Sequence, residues 1–109
     1  MKIRNVLFPL ILAAASVSAN DEGNAEKGKE LSRFCSGCHG ENGIAGNPAN
    51  PNLAGQNEKY LKYALKSYRD GVRKGGLAVV MRPNAATLTD QEISDLAAYF
   101  SSLPGRNAN

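Results

Sequence analysis

A chain of 109 residues, with thirteen Lys and Arg against ten Asp and Glu, has room for one small core and carries no extreme charge. Removal of the first nineteen residues would take Lys2 and Arg4 away and leave eleven bases against ten acids, so the composition gives no footing for a nucleic-acid binder. A domain of the remaining size buries only about 60 to 65% of its unfolded surface, and such domains recruit a disulfide, a metal or other extra core material.

The first residues have the layout of an export leader. Lys2 and Arg4 give a basic start, Val6 to Ala15 an apolar run broken only by Pro9, and Val17-Ser18-Ala19 a small-residue cleavage site. This predicts a signal peptide over 1–19 and a single domain over 20–109. A membrane anchor is the weaker reading, because the apolar run is about half of the ~20 residues that a spanning helix needs. No second such run exists, so no membrane span is expected in the mature chain.

Asn20 to Asn24 is polar and reads as a frayed start, after which Ala25, Gly28, Leu31 and Ser32 recur at helical spacing. That first helix should end near Cys35. From Gly40 to Gly55 the composition turns to Gly, Asn and Pro, which predicts an irregular loop in need of something to wrap. Between Asn57 and Asp70, Leu61, Ala64, Leu65 and Tyr68 lie on one helical face, with Gly71 as a stop. Val72 to Thr87 holds Gly75-Gly76, Ala78-Val79-Val80-Met81 and Pro83, and reads as loop with one helical turn at most. Thr89-Asp90-Gln91-Glu92 is a capping box that opens a last helix through Ile93, Leu96, Ala97, Phe100 and Leu103, closed by Pro104-Gly105. No stretch alternates apolar and polar residues over a strand's length. The predicted class is all-α, with three main helices and long loops.

The densest chemical signal is Cys35-Ser36-Gly37-Cys38-His39, the C-x-x-C-H pattern that attaches c-type haem. Two thiols three residues apart at a helix end each reach one vinyl group along the same haem edge, and the next residue then sets an imidazole over the iron. The other readings are a redox dithiol, half a zinc site, or a structural disulfide. A dithiol of the thioredoxin type belongs in a βαβ setting, which the pattern above does not offer. Zinc needs further ligands, and His39 is the single His. Met81 is the one Met left after cleavage. It is either a gap-filling core residue or, from a loop between the second and last helices, a thioether donor on the iron face opposite His39; the second reading is preferred.

These residues, taken together, resemble the class I cytochromes c, in particular the short bacterial monohaem type. The resemblance rests on Cys35 to Gly40, Pro51-Asn52-Leu53-Ala54-Gly55-Gln56, Tyr60, Tyr68 to Arg73, Met81, and Leu88-Thr89-Asp90 through Ala97-Ala98-Tyr99-Phe100. It implies the small cytochrome c fold wrapped around one covalently bound haem c. Cys35 and Cys38 would bear the thioethers, His39 and Met81 would be the axial iron ligands, and the Pro51 carbonyl would orient His39 through its ring N–H. The first and last helices would cross at Gly28 and Leu31 against Leu96 and Tyr99.

The function so implied is a periplasmic one-electron carrier between exported redox proteins, membrane respiratory complexes among them, with no enzymatic activity of its own. The alternative is an electron-transfer subunit of a periplasmic dehydrogenase or oxidase complex. A haem sensor or small peroxidase with an open sixth position, and a non-haem thiol protein, are the more distant classes. Tyr60, Tyr63 and Tyr68 are expected in the core or against haem. Lys59, Lys62, Lys66, Arg69, Arg73 and Lys74 form a basic stretch, opposed by Asp90, Glu92 and Asp95 at the start of the last helix. That separation either steers an acidic redox partner or is an ordinary solvated face.

Overall fold

The computed structural model describes residues 22–106, together with 5, 7 and 9, so the leader expected over 1–19 lies almost wholly outside the described residues. Five helices follow one another, α1 Ala25–Leu31, α2 Ser36–His39, α3 Glu58–Arg69, α4 Ala78–Ala85 and α5 Asp90–Ser102, with no strand among the described residues. The all-α expectation holds.

α1 starts where the Asn24 side chain accepts from Lys27 N at 3.1 Å. It passes through a tight turn, Ser32–Phe34, directly into α2, so the C-x-x-C-H segment is a continuation of α1 rather than a separate loop. α5 opens on the predicted capping box: Thr89 accepts from Glu92 N at 3.1 Å, and the Glu92 carboxylate accepts from Thr89 N at 3.0 Å.

α5 is the spine of the core. Leu96, Ala97, Tyr99 and Phe100 cluster with Leu61 of α3, and Leu31, Cys35, Leu53 and Leu65 pack against them. Full burial of a side chain such as Ile93 or Leu96 stabilises the fold by about 1.5–3 kcal/mol. α1 crosses α5 at the predicted place. A Cβ on Gly28 would run into the Asp95 carbonyl and lie 2.8 Å from Tyr99 Cβ, so glycine is what lets the two backbones approach. Gly23 makes a second such approach, with Ala98 Cβ 2.9 Å from where its own Cβ would be.

Three expectations are corrected. Asp95 is no surface acid: it is 3% exposed, and its Oδ1 accepts from Asn24 N at 2.7 Å and Gln91 Nε2 at 2.9 Å, which ties α1 to α5. These bonds offset the cost of taking a carboxylate out of water. Of the tyrosines expected in the core or against haem, Tyr60 and Tyr63 lie outside the core, because α3 turns Leu61, Ala64 and Ser67 inward instead, and Tyr68 is half-buried. The buried Ser67 hydroxyl is satisfied by Tyr63 O at 2.7 Å. Finally, Val72 to Thr87 is not mostly loop. Gly75 and Gly76 precede α4 rather than interrupt it, and Pro83 sits late in its eight residues, so Met81 is helical.

Candidate functional site

Cys35, Cys38 and His39 occupy one helical turn. The Cys35 carbonyl accepts from His39 N at 2.9 Å and from Cys38 N at 3.3 Å. The chain then turns sharply at Gly40, φ +81°, where a Cβ would collide with the Ile44 carbonyl. Any side chain at this position would push the following loop away from the imidazole.

That loop returns under His39. Leu53 N and Ala54 N both donate to Gly43 O, at 2.8 and 3.0 Å, and the Asn52 side chain accepts from Ala45 N at 2.8 Å. The bracket so formed sets Pro51 O 2.9 Å from His39 Nδ1. A carbonyl only accepts, so the imidazole proton sits on Nδ1 and Nε2 keeps its lone pair. His39 is 5% exposed, which makes this a fixed, oriented donor nitrogen. Asn50 adds a second tie between loop and motif, donating from Nδ2 to Cys38 O at 3.1 Å.

Both thiols are free, Cys35 half-buried and Cys38 exposed. Burial, and then the neighbouring Cys38 charge, push the Cys35 thiol above its ordinary value. Dithiol exchange needs the thiolate, so this environment works against a redox dithiol. Among the described residues no group of three or more His, Cys, Asp or Glu is gathered that could hold a metal ion.

Met81 is presented separately. It is half-buried on α4, its N–H directed to Leu77 O at 3.3 Å, and α4 is carried by α3. Cys35, Cys38, His39 and Pro51 are thus joined by direct hydrogen bonds, whereas Met81 comes from another element. Near it Leu77, Val79 and Val80 remain exposed, Val79 at 72%. Together these residues fit a covalently held haem: two free thiols one turn apart, an imidazole with Nε2 bare, a thioether, and apolar side chains beside it.

The surroundings are electrically uneven. Seven basic residues fall between positions 58 and 82 against only Glu58 and Asp70. Two of the seven are held at the end of α3. Arg69 pairs with Asp70 and Asp90, and Arg73 lies over the Tyr68 ring, 4.9 Å from its centroid, while donating to the Tyr68 hydroxyl at 3.1 Å. Sequence reasoning found every residue of the motif and Pro51, but passed over Asn50, Asn52 and Gly43. Their placement in a Gly-, Asn- and Pro-rich loop after the motif was the available signal.

A family model for cytochrome c matches residues 25–104. The chain is 48% identical over 80 residues to cytochrome c-554(548) of Halomonas halodenitrificans, covering 73% of this chain and 96% of that one. It is 33% identical over 81 residues to the cytochrome subunit of sulfide dehydrogenase of Chlorobaculum tepidum, covering 74% and 70%. Among solved structures, reduced recombinant cytochrome c4 from Pseudomonas stutzeri superimposes with a TM-score of 0.66 at 31% identity, over 75% of this chain and 52% of that one. The chain therefore spans nearly all of the first relative and about half of the c4 chain.

Proposed function

The chain belongs to the cytochrome c family, whose members carry covalently bound haem c, and from that premise we propose that it is a monohaem one-electron carrier of the periplasm, exported by a leader over 1–19. When bound, haem c supplies an iron that cycles between Fe(III) and Fe(II) without binding a substrate. The single C-x-x-C-H motif supports one haem per chain.

The observation that carries the reading is the 2.9 Å contact from His39 Nδ1 to Pro51 O within that motif. It fixes the tautomer and aims Nε2, which is what an axial ligand needs if it is to stay in place in both oxidation states. Cys35 and Cys38 would hold the group covalently, and Met81 would provide a second donor to its iron. Arg69 and the buried side chains of α5 hold these elements without taking part in the chemistry.

The seven basic residues between 58 and 82 support a partner with an acidic face, steered in by charge. Other exported redox proteins are the donors and acceptors in this reading. No helix among the described residues is long and apolar enough to cross a membrane.

The test is to express the full chain with haem-maturation machinery, purify the exported form, and measure haem per polypeptide and the electrons taken up on reduction. One haem and a reversible one-electron titration are expected. A colourless exported protein, or a second electron, would contradict the proposal. The resemblance to the sulfide dehydrogenase subunit supports a second reading, a subunit of a periplasmic dehydrogenase. Stable co-purification with a catalytic chain from its native host would favour that reading over a free carrier.

A further inference from the structure

The segment that carries Met81 has few buried contacts with the rest of the chain. Of the eight residues of α4 only Ala78 and Ala85 are buried against the rest of the chain, two single methyl groups, while Leu77, Val79 and Val80 are the apolar side chains that would flank haem. A helix of this length does not stand alone in water, and Pro83 deletes one of its hydrogen bonds. Apart from contact with haem, the chain's own hold on the segment from 70 to 89 therefore lies largely at its two ends.

At the near end, Val72 N and Arg73 N both donate to Ser67 O, at 2.9 and 3.1 Å. At the far end one side chain makes the connection. Arg69, the last residue of α3, donates from Nη1 to the Asp90 carboxylate at 2.6 Å and to Leu88 O at 3.3 Å, and from Nε to Asp70 at 2.9 Å. A planar guanidinium can serve these three acceptors at once, and the ammonium of lysine, a point donor, cannot reproduce the fork. Leu88 packs against the core cluster, so Arg69 closes the segment at the point where the chain returns to the core. The arginine is also the less exposed member of its pairs, at 21% against 54% for Asp70 and 72% for Asp90. Both carboxylates favour its charged form, and Asp90 is in turn held below the ordinary carboxylate range by Arg69 and, more weakly, by Lys66.

We propose that Arg69 is a positioning residue: it latches the 70–89 segment shut between the end of α3 and the start of α5, and so keeps Met81 in place. The second half of this statement rests on the reading of Met81 as an axial ligand.

The test uses the haem-loaded protein and two variants, Arg69→Gln and Arg69→Lys. Amide hydrogen exchange is followed at Ala78, Met81 and Ala86, each hydrogen-bonded within the segment, against amides of α1 and α5. In Arg69→Gln the segment amides should exchange about tenfold faster, with α1 and α5 unchanged, and added imidazole should displace the sulfur ligand at about tenfold lower concentration. Arg69→Lys should fall between wild type and Arg69→Gln. Unchanged segment exchange in Arg69→Gln overturns the latch, and so does an equal acceleration in α1, α5 and the segment, which would make Arg69 a general stabiliser. If Arg69→Gln does not fold, Asp90→Asn opens the same contact from the other side and is judged by the same pattern. A sulfur-to-iron band that survives Met81→Ala overturns the ligand half and the reading beneath it, while the exchange pattern still decides the latch.

Discussion

The α1–α5 crossing and the 70–89 segment are built on opposite principles. At the crossing, two glycines bring backbones together, Ile93 and Ala97 are fully buried, and the Asp95 carboxylate binds both helices. In the segment, the chain's own contacts are fewer: two alanine methyls, Leu88, the bonds to Ser67 O and the Arg69 fork, with Leu77, Val79 and Val80 on the side assigned to haem. The two sulfur- and nitrogen-bearing halves of the site inherit this difference. His39 stands on a continuation of α1 and is fixed by Pro51, whereas Met81 rides on the weaker element. A carrier built this way opens first on its methionine side, because local opening follows the regions with least buried apolar contact.

Substitutions should break this contrast in graded order. Leu96→Ala, in the middle of the crossing, should cost about 2–5 kcal/mol in urea unfolding, since it removes buried methylenes and leaves a cavity. Gly28→Ala should cost about 1–3 kcal/mol, because its new methyl meets the Asp95 carbonyl, which is backbone and cannot rotate away. Asp95→Ala should cost about 1–3 kcal/mol by leaving Asn24 N and the Gln91 amide without their acceptor. Val79→Ala, whose side chain is not buried against the rest of the chain, should cost clearly less than Leu96→Ala, about 1 kcal/mol at most. Equal losses for Leu96→Ala and Val79→Ala would abolish the distinction between the two regions.

Acid sharpens the same comparison with the smallest effect. Asp90 is held below its ordinary value of 3.8 in the folded chain, so its contribution is complete above that value and is lost as pH falls through the lower, folded one. The exchange contrast between segment and crossing should be constant from about pH 7 to about pH 5 and should widen only in stronger acid. In Asp90→Asn the acid-induced widening should shrink.

Much of this arrangement was legible in the residues. C-x-x-C-H marked the candidate site, and Thr89 with Glu92 the start of α5, because each is a local pattern whose geometry follows from spacing alone; the crossing at Gly28 was implied only by the family resemblance, since it joins helices far apart in the chain. α4 was missed because Gly75-Gly76 and Pro83 are strong punctuation, yet the glycines fall outside the helix and the proline late within it. Asp95 was read as surface because a carboxylate in a helix ordinarily points to water; what buries it is the approach of Asn24 from a segment 71 residues away, which no local pattern records. Tyr63 shows the converse. It was expected inside for its aromatic ring, but it stands two residues from Leu61, off the face of Leu61, Ala64 and Leu65, and is exposed. The Arg69 contact likewise depends on residues 19 and 21 positions away meeting in space.

The most direct test of the account is the spectrum of the purified, haem-loaded protein, recorded oxidised and reduced, beside that of Met81→Ala. A sharp reduced α-band, together with a weak near-infrared sulfur-to-iron(III) band that disappears in Met81→Ala, is the predicted result. Haem bands with no sulfur signature in the wild-type protein, or a sulfur band unaffected by the substitution, would contradict ligation by His39 and Met81.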